Sequence, residues 1–136
     1  MNFREATKED FDYVANHSVS RGKVHPECTD YVYTLEHDGI PLCIGGFKML
    51  NYDTAWCWID ITDTAGSHTI AMYRVIRDWI DSFTEEKQLT RVQATVECDF
   101  VEAITMVKHL GFKEESIMRR YVNDKDAFLY VKLKGE

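Results

Sequence analysis

Asp60 sits in the run TAWCWIDIT, residues 54–62, where strand alternation puts it on one face with Trp56, Trp58 and Thr62 and leaves Ala55, Cys57, Ile59 and Ile61 on the other. A carboxylate beside two indoles loses hydration, which raises its pKa toward that of a general base working near neutral pH. The competing reading is a carboxylate satisfied by neighbouring amides or a hydroxyl, the ordinary state of buried acids. Immediately downstream, TAGSHTIA brings Ser67, His68, Thr69 and Ile70 to the start of a helix. Unpaired amides and the helix dipole favour an anion such as phosphate there. His68 is the one titratable cation in that stretch and is mostly neutral at physiological pH. The plain alternative is a helix N-terminus capped by Ser67 or Thr69. A third group, His25, Glu27 and Cys28, has the side chains of a metal site but no matched second pair of ligands. A Cys28–His25 nucleophile pair would lack an orienting third residue, so the segment reads as a polar loop.

These residues need a scaffold, and the chain is of a size to supply one. With 136 residues and 45% hydrophobic content it is expected to form a single domain over 1–136. A short strand, Asn2 to Glu5, precedes Thr7, which with Asp10 can cap a helix carrying Phe11, Val14 and Ala15 on one face. Residues 17–30 lack a clean period and read as a loop, with or without a short second helix. Tyr31 to Glu36 and Ile40 to Leu50 are β-rich and joined at Asp38–Gly39, which suits a tight hairpin. Pro41 then belongs at a strand start or edge, and Gly45–Gly46 suggests a bulge or close backbone approach. Residues 54–62 are apolar on both faces and read as a central strand. A helix follows from Ile70 to about Gln88, with Ala71, Val75, Ile76, Trp79, Ile80 and Phe83 inward. Arg91 to Val96 is the next strand, and two last strands, Ser116 to Val122 and Ala127 to Leu133, flank a turn at NDKD.

Between them lies DFVEAITMVKHLGFKEE, residues 99–115. Phe100, Ala103, Ile104, Val107 and Leu110 make one apolar helical face, Asp99 with Glu102 reads as an N-cap pair, and Gly111 as the left-handed stop. The ending LGF followed by acidic residues resembles the last helix and turn of the GNAT family of acyl-CoA-dependent N-acyltransferases. The order β, α, β meander, α, β, α, β, β is similar to that family along essentially the whole chain. The resemblance implies an α/β (α+β) fold with a mixed, mostly antiparallel sheet of six to seven strands, helices on both faces and splayed central parallel strands. It implies acetyl-CoA or another acyl-CoA as cofactor and an amine, small molecule or protein, as acceptor. A homodimer through the last strands is compatible with it.

The family pattern also assigns roles. Ile61, Thr62 and Asp63 fall where strand amides meet the cofactor and the thioester oxygen, and Gly66, Ser67, His68, Thr69, Ile70 and Ala71 where a glycine-rich loop holds the pyrophosphate. Only Gly66 and Ala71 remain of that pattern, with no Arg or Lys. Counting back from Gly111 puts Val107 where many members carry a tyrosine that protonates the leaving thiolate, and Phe100 where asparagine is frequent. By position, Asp60 and Glu97 are the two candidates for the general base, with Glu97 just past the fifth strand and read as a solvated loop residue. His25, Glu27 and Tyr121 fall in the two segments that hold the acceptor. The chain also resembles, through DGIPLCIGG, TAGSHT and LGFKEE, the small GNAT-like internal virion proteins of T7-like tailed phages. That likeness implies instead a non-catalytic phage protein binding virion or host partners.

Composition narrows the alternatives. A net charge of −7 disfavours nucleic acid and anionic membranes as partners. The N-terminus MNFREATKED has neither a signal core nor a spanning segment, so a cytoplasmic protein is expected, in host cytoplasm or virion if phage-encoded. Cys28, Cys43, Cys57 and Cys98 have no CxxC spacing and read as free thiols, Cys43 and Cys57 as core residues.

Overall fold

The computed structural model describes residues 1–19 and 29–136. In chain order the elements are β1 (Asn2–Glu5), α1 (Lys8–His17), β2 (Tyr31–His37), β3 (Ile40–Met49), β4 (Thr54–Ile61), a 3-10 segment (Asp63–His68), α2 (Thr69–Glu86), β5 (Arg91–Glu97), α3 (Val101–His109), β6 (Lys113–Val122) and β7 (Lys125–Leu133). The strands form a seven-stranded sheet in the order β1-β2-β3-β4-β5-β7-β6. β4 and β5 are parallel, whereas β1–β2, β2–β3, β5–β7 and β6–β7 are antiparallel. This is the expected mixed sheet, with β4 at its centre. Among the described residues no helix is long and apolar enough to cross a membrane. The residues group into two compact units, Met1–Lys48 with Cys57–Met72, and Met49–Trp56 with Tyr73–Glu136.

In the first unit, Thr7 and Asp10 form the expected capping box at the start of α1. Asp10 does more than cap. Its carboxylate also takes two hydrogen bonds from the Arg4 guanidinium, at 2.7 and 2.9 Å, and one from Thr34 Oγ1 at 2.9 Å. Arg4 reaches on to Glu36 at 2.9 Å, so one charge network ties β1, α1 and β2. That network corrects the apolar face expected for α1: Asp10 and Val14 are buried, while Phe11 is 41% exposed. Asp38 and Gly39, both at positive φ, make the tight β2–β3 turn, and Pro41 is the second residue of β3. Gly45 is a close approach: a Cβ there would lie 2.9 Å from the Trp58 carbonyl oxygen. The register shift falls instead between Leu35 and Glu36. Leu35, Ile44 and Phe47 fill the unit's core.

In the second unit, Ile76, Ile80 and Phe83 of α2 are buried with Leu89, Val92, Leu110, Phe112 and Tyr130. The inward register of α2 begins one residue later than expected, because Met72 is buried and Ala71 exposed. Gly111, at φ 94°, ends α3 as predicted, and Phe112 returns to the core. The start of α3 differs from the expectation. Phe100 is its N-cap and makes no side-chain cap bond, while Asp99 lies outside the helix and faces Lys125 at 3.4 Å. β6 begins at Lys113, earlier than expected, and meets β7 through a two-residue turn, Asn123–Asp124, with both residues at positive φ.

Candidate active site

β4 and β5 form a parallel ladder of three register pairs, Thr54–Arg91, Ala55–Val92 and Trp56–Gln93. β4 then continues to Ile61 and β5 to Glu97. Paired residues in a parallel ladder share a face, so Trp56 lies on the same side of the sheet as Gln93, and alternation along β5 adds Thr95 and Glu97.

At the end of β4 the first unit commits several groups that sequence reasoning left available. The Thr62 N–H donates to the Leu42 carbonyl at 3.0 Å, and its hydroxyl lies 2.9 Å from the Pro41 carbonyl oxygen and 2.5 Å from Thr64 Oγ1. Thr62 is therefore removed as a donor to a thioester oxygen, because both its polar groups serve the fold. The Ile61 carbonyl accepts the Val19 N–H at 2.9 Å, and Ser18 bridges Thr62 in antiparallel fashion. Ladder alternation turns the Ile59 and Ile61 amides away from β3, since those of the even residues point toward it. Asp60 is buried, 6% exposed, and accepts a hydrogen bond from Ser18 Oγ.

The turn after β4 is built by residues chosen for backbone geometry. Thr64 Oγ1 donates to the Pro41 carbonyl at 2.8 Å, anchoring the 3-10 segment to the start of β3. Gly66 breaks that segment with φ 42° and ψ −122°, a conformation open to glycine and not to residues with a Cβ. The Thr69 hydroxyl donates to the Gly66 carbonyl at 2.8 Å, so it does not accept as an N-cap. The 3-10 segment runs directly into α2 at Thr69, and Ile70 in the first turn of α2 is 72% exposed. Nothing lies within 4 Å of the position a Cβ on Gly66 would take. Backbone donors, an open glycine and solvent exposure fit a diphosphate cradle made of neutral groups. His68, the one imidazole of the segment, packs against the His37 ring at 4.4 Å.

Glu97 departs most from expectation. It is the last residue of β5, in register with Ala127 of β7, and it is 6% exposed, where a solvated loop residue was expected. The Phe100 N–H donates to the Glu97 carbonyl at 3.0 Å, a backbone turn that carries the chain off the strand. Among the described residues its carboxylate has neither a hydrogen bond nor an ion pair. Thr95, two residues earlier on the same face, has a buried hydroxyl with no partner. Sequence reasoning missed Thr95 and Ser18. The alternation RVQATVE contained the signal for Thr95, which shares the Glu97 face; Ser18 had none, because its role depends on a long-range contact.

Val107 is buried, so α3 offers no proton donor there, and Phe100 is half-buried at the helix start. Tyr121 stacks on Trp56 with ring centroids 6.3 Å apart, and burial pushes its phenol above the usual value. His25 and Glu27 lie outside the described residues. The Cys43 thiol is pushed up to about 12 by burial, which suits a core residue rather than a nucleophile. Among the described residues Cys43, Cys57 and Cys98 form no disulfide. Among the described residues no group of three or more His, Cys, Asp or Glu side chains could hold a metal ion.

No protein-family model and no curated protein matches the sequence. Solved structures do match in fold. Ard1 from Thermoplasma volcanium superposes with a TM-score of 0.82 at 16% identity, covering 99% of this chain and 98% of that one. A mutant of the spermidine N-acetyltransferase SpeG from Vibrio cholerae gives 0.80 at 13% identity, covering 98% and 93%. The ribosomal-protein-S18-alanine N-acetyltransferase from Escherichia coli gives 0.75 at 14% identity, covering 97% and 92%. Through its seven-stranded mixed sheet and the near-complete coverage of these structures, the chain has the GNAT acetyltransferase fold.

Proposed function

We propose that this protein is an acyl-CoA-dependent N-acyltransferase that moves an acetyl group to an amine, with Glu97 taking the proton of the acceptor ammonium. The observation that carries this reading is the Glu97 carboxylate, buried and unpaired among the described residues at the end of a central strand. A carboxylate that serves no hydrogen bond or ion pair of the fold is available to accept a proton. Asp60, the other candidate, is already held by Ser18 and reads as a structural carboxylate. Fold likeness alone does not give function, but two of the similar structures are acetyltransferases of amines, a ribosomal-protein alanine and spermidine.

Acetyl-CoA, when bound, supplies the acyl group and a thiolate leaving group. The chain's own part is to hold and deprotonate. The first-turn amides of α2 at Thr69, Ile70 and Ala71, with Ser67 beside them, are the donors for the diphosphate. The Ile59 and Ile61 N–H groups are the strand donors for the amide-bearing arm. Glu97 accepts the ammonium proton and leaves the amine lone pair free to attack. Val107 takes no proton part, so solvent protonates the sulfur.

The test is thermal unfolding with acetyl-CoA. At a hundredfold excess over Kd, binding to the folded state alone stabilises by roughly 2.7 kcal/mol, a rise of several degrees in Tm. Glu97→Gln should keep that shift and lower kcat by about a hundredfold or more. Turnover unchanged in Glu97→Gln but lost in Asp60→Asn at unchanged Tm would move the base to Asp60. No shift at millimolar acetyl-CoA would remove the enzyme reading and favour a non-catalytic binding role.

A further inference from the structure

α1 ends at His17, whose ring stacks on Tyr13 with centroids 4.0 Å apart and whose Nδ1 lies 2.9 Å from the Tyr13 carbonyl oxygen. The chain leaves the helix in extended geometry at Ser18, φ −64° and ψ 138°, and meets the end of β4 as an isolated antiparallel bridge, Ser18 to Thr62. Two bonds hold it there. Ser18 Oγ donates to the Asp60 carboxylate, and the Val19 N–H donates to the Ile61 carbonyl at 2.9 Å. Parity along β4 shows which edge this contact occupies. The Thr54 carbonyl accepts from the Leu50 N–H and the Thr62 N–H donates to the Leu42 carbonyl, so even residues turn their backbone groups toward β3. Odd residues turn theirs to the opposite edge. Val19 is therefore bound on the edge that carries the Ile59 and Ile61 N–H groups assigned to the cofactor arm. An extended chain of amides pairing with that edge needs acceptors as well as donors, and the Ile61 carbonyl is already filled by an amide of the protein itself.

We propose that Ser18–Val19 is an autoinhibitory strap, which holds the Ile61 carbonyl in the free protein and is displaced when the amide-bearing arm of an acyl-CoA pairs along β4. Val19 stands in for an amide of the arm, and Ser18 on Asp60 is the latch. The contact suits displacement: it lies outside the strand ladders, it has one backbone bond among the described residues, and Val19 is 51% exposed. One amide replacing another on the same carbonyl exchanges like for like, so the strap lowers the measured cofactor affinity only by the fraction of molecules in which it is open. The inference rests on the acyltransferase reading for the identity of the displacing chain.

The test is calorimetric titration of acetyl-CoA into the full-length wild type, Ser18→Ala and Val19→Pro. Proline removes the donor, and the extended backbone of Ser18 tolerates a proline after it. Each variant should bind acetyl-CoA about two- to tenfold more tightly than wild type, the range expected for releasing one net hydrogen bond. Ser18→Ala should do so at a lower Tm, a combination that simple damage to the fold does not give. Val19→Pro, at an exposed position, keeps the test open if Ser18→Ala fails to fold. Amide hydrogen exchange of the wild type gives a second readout. At saturating acetyl-CoA the Val19 amide should exchange faster and the Ile61 amide more slowly. Equal or weaker binding by either folded variant, or a Val19 amide that keeps its protection at saturation, would overturn the strap and leave the acyltransferase reading standing. Absence of binding in all three proteins would sink that reading, and the strap with it.

Discussion

Two carboxylates that look equivalent in the sequence are chemically different in the fold. Asp60 is buried with the Ser18 hydroxyl on it, and Glu97 is buried with no partner among the described residues. Substitution separates them. Asp60→Asn should act mainly on stability, leaving the Ser18 hydroxyl an amide in place of a charge, at a cost of about 1–3 kcal/mol read as a lower Tm. Glu97→Gln removes no hydrogen bond or ion pair found among the described residues and should leave Tm near wild type, while turnover falls. Loss of activity at unchanged stability is a signature a structural residue would not give. Position along the chain pointed to both acids, but their partners could not be read from it. Ser18 lies 42 residues from Asp60, and no local pattern announces a contact of that separation.

At the scale of elements, local chemistry was legible wherever a few adjacent residues decide the outcome. The Thr7–Asp10 cap, the Asp38–Gly39 turn and the Gly111 stop all follow from nearby side chains and backbone freedom. Expectation failed where a distant partner competed. Asp10 is drawn inward by Arg4 and Thr34, which displaces Phe11 to the surface, and Asp99 leaves its helix cap to face Lys125. The Asp10 network carries its own prediction. Arg4, first through its hydrogen bonds, holds the Asp10 carboxyl well below the usual carboxylate range against the opposing effect of burial. A depressed folded pKa contributes stability that is fully present above about pH 4 and is lost as pH falls toward the folded value. Wild-type Tm should therefore fall between about pH 5 and pH 2, and Asp10→Asn should be less stable at neutral pH with a flatter acid limb. Equal acid slopes for the two proteins would contradict this. Gly111→Ala, forced to φ 94°, should cost about 1–2 kcal/mol by chemical denaturation.

At the scale of the molecule, the GNAT fold was anticipated through resemblance, carried by the order of elements and by the last helix ending in LGF. The site was less legible. The segment proposed to hold the diphosphate lacks the family's usual glycines and basic residues and is a 3-10 turn broken at Gly66, and Thr62, a natural candidate donor, is consumed by β3. A cradle of neutral amides predicts that acetyl-CoA affinity falls only weakly as salt rises, since few ion pairs with the diphosphate are there to be screened. Steep loss with salt would instead point to a cationic contact. The most direct measurement of the central claim is titration of acetyl-CoA into isotope-labelled protein, followed at each backbone amide by nuclear magnetic resonance. The account predicts saturable shifts at Ile59 and Ile61 of β4 and at Thr69, Ile70 and Ala71 of α2, with the Thr62 amide held by Leu42. Shifts absent from both segments at saturating cofactor, or confined to residues elsewhere, would contradict it.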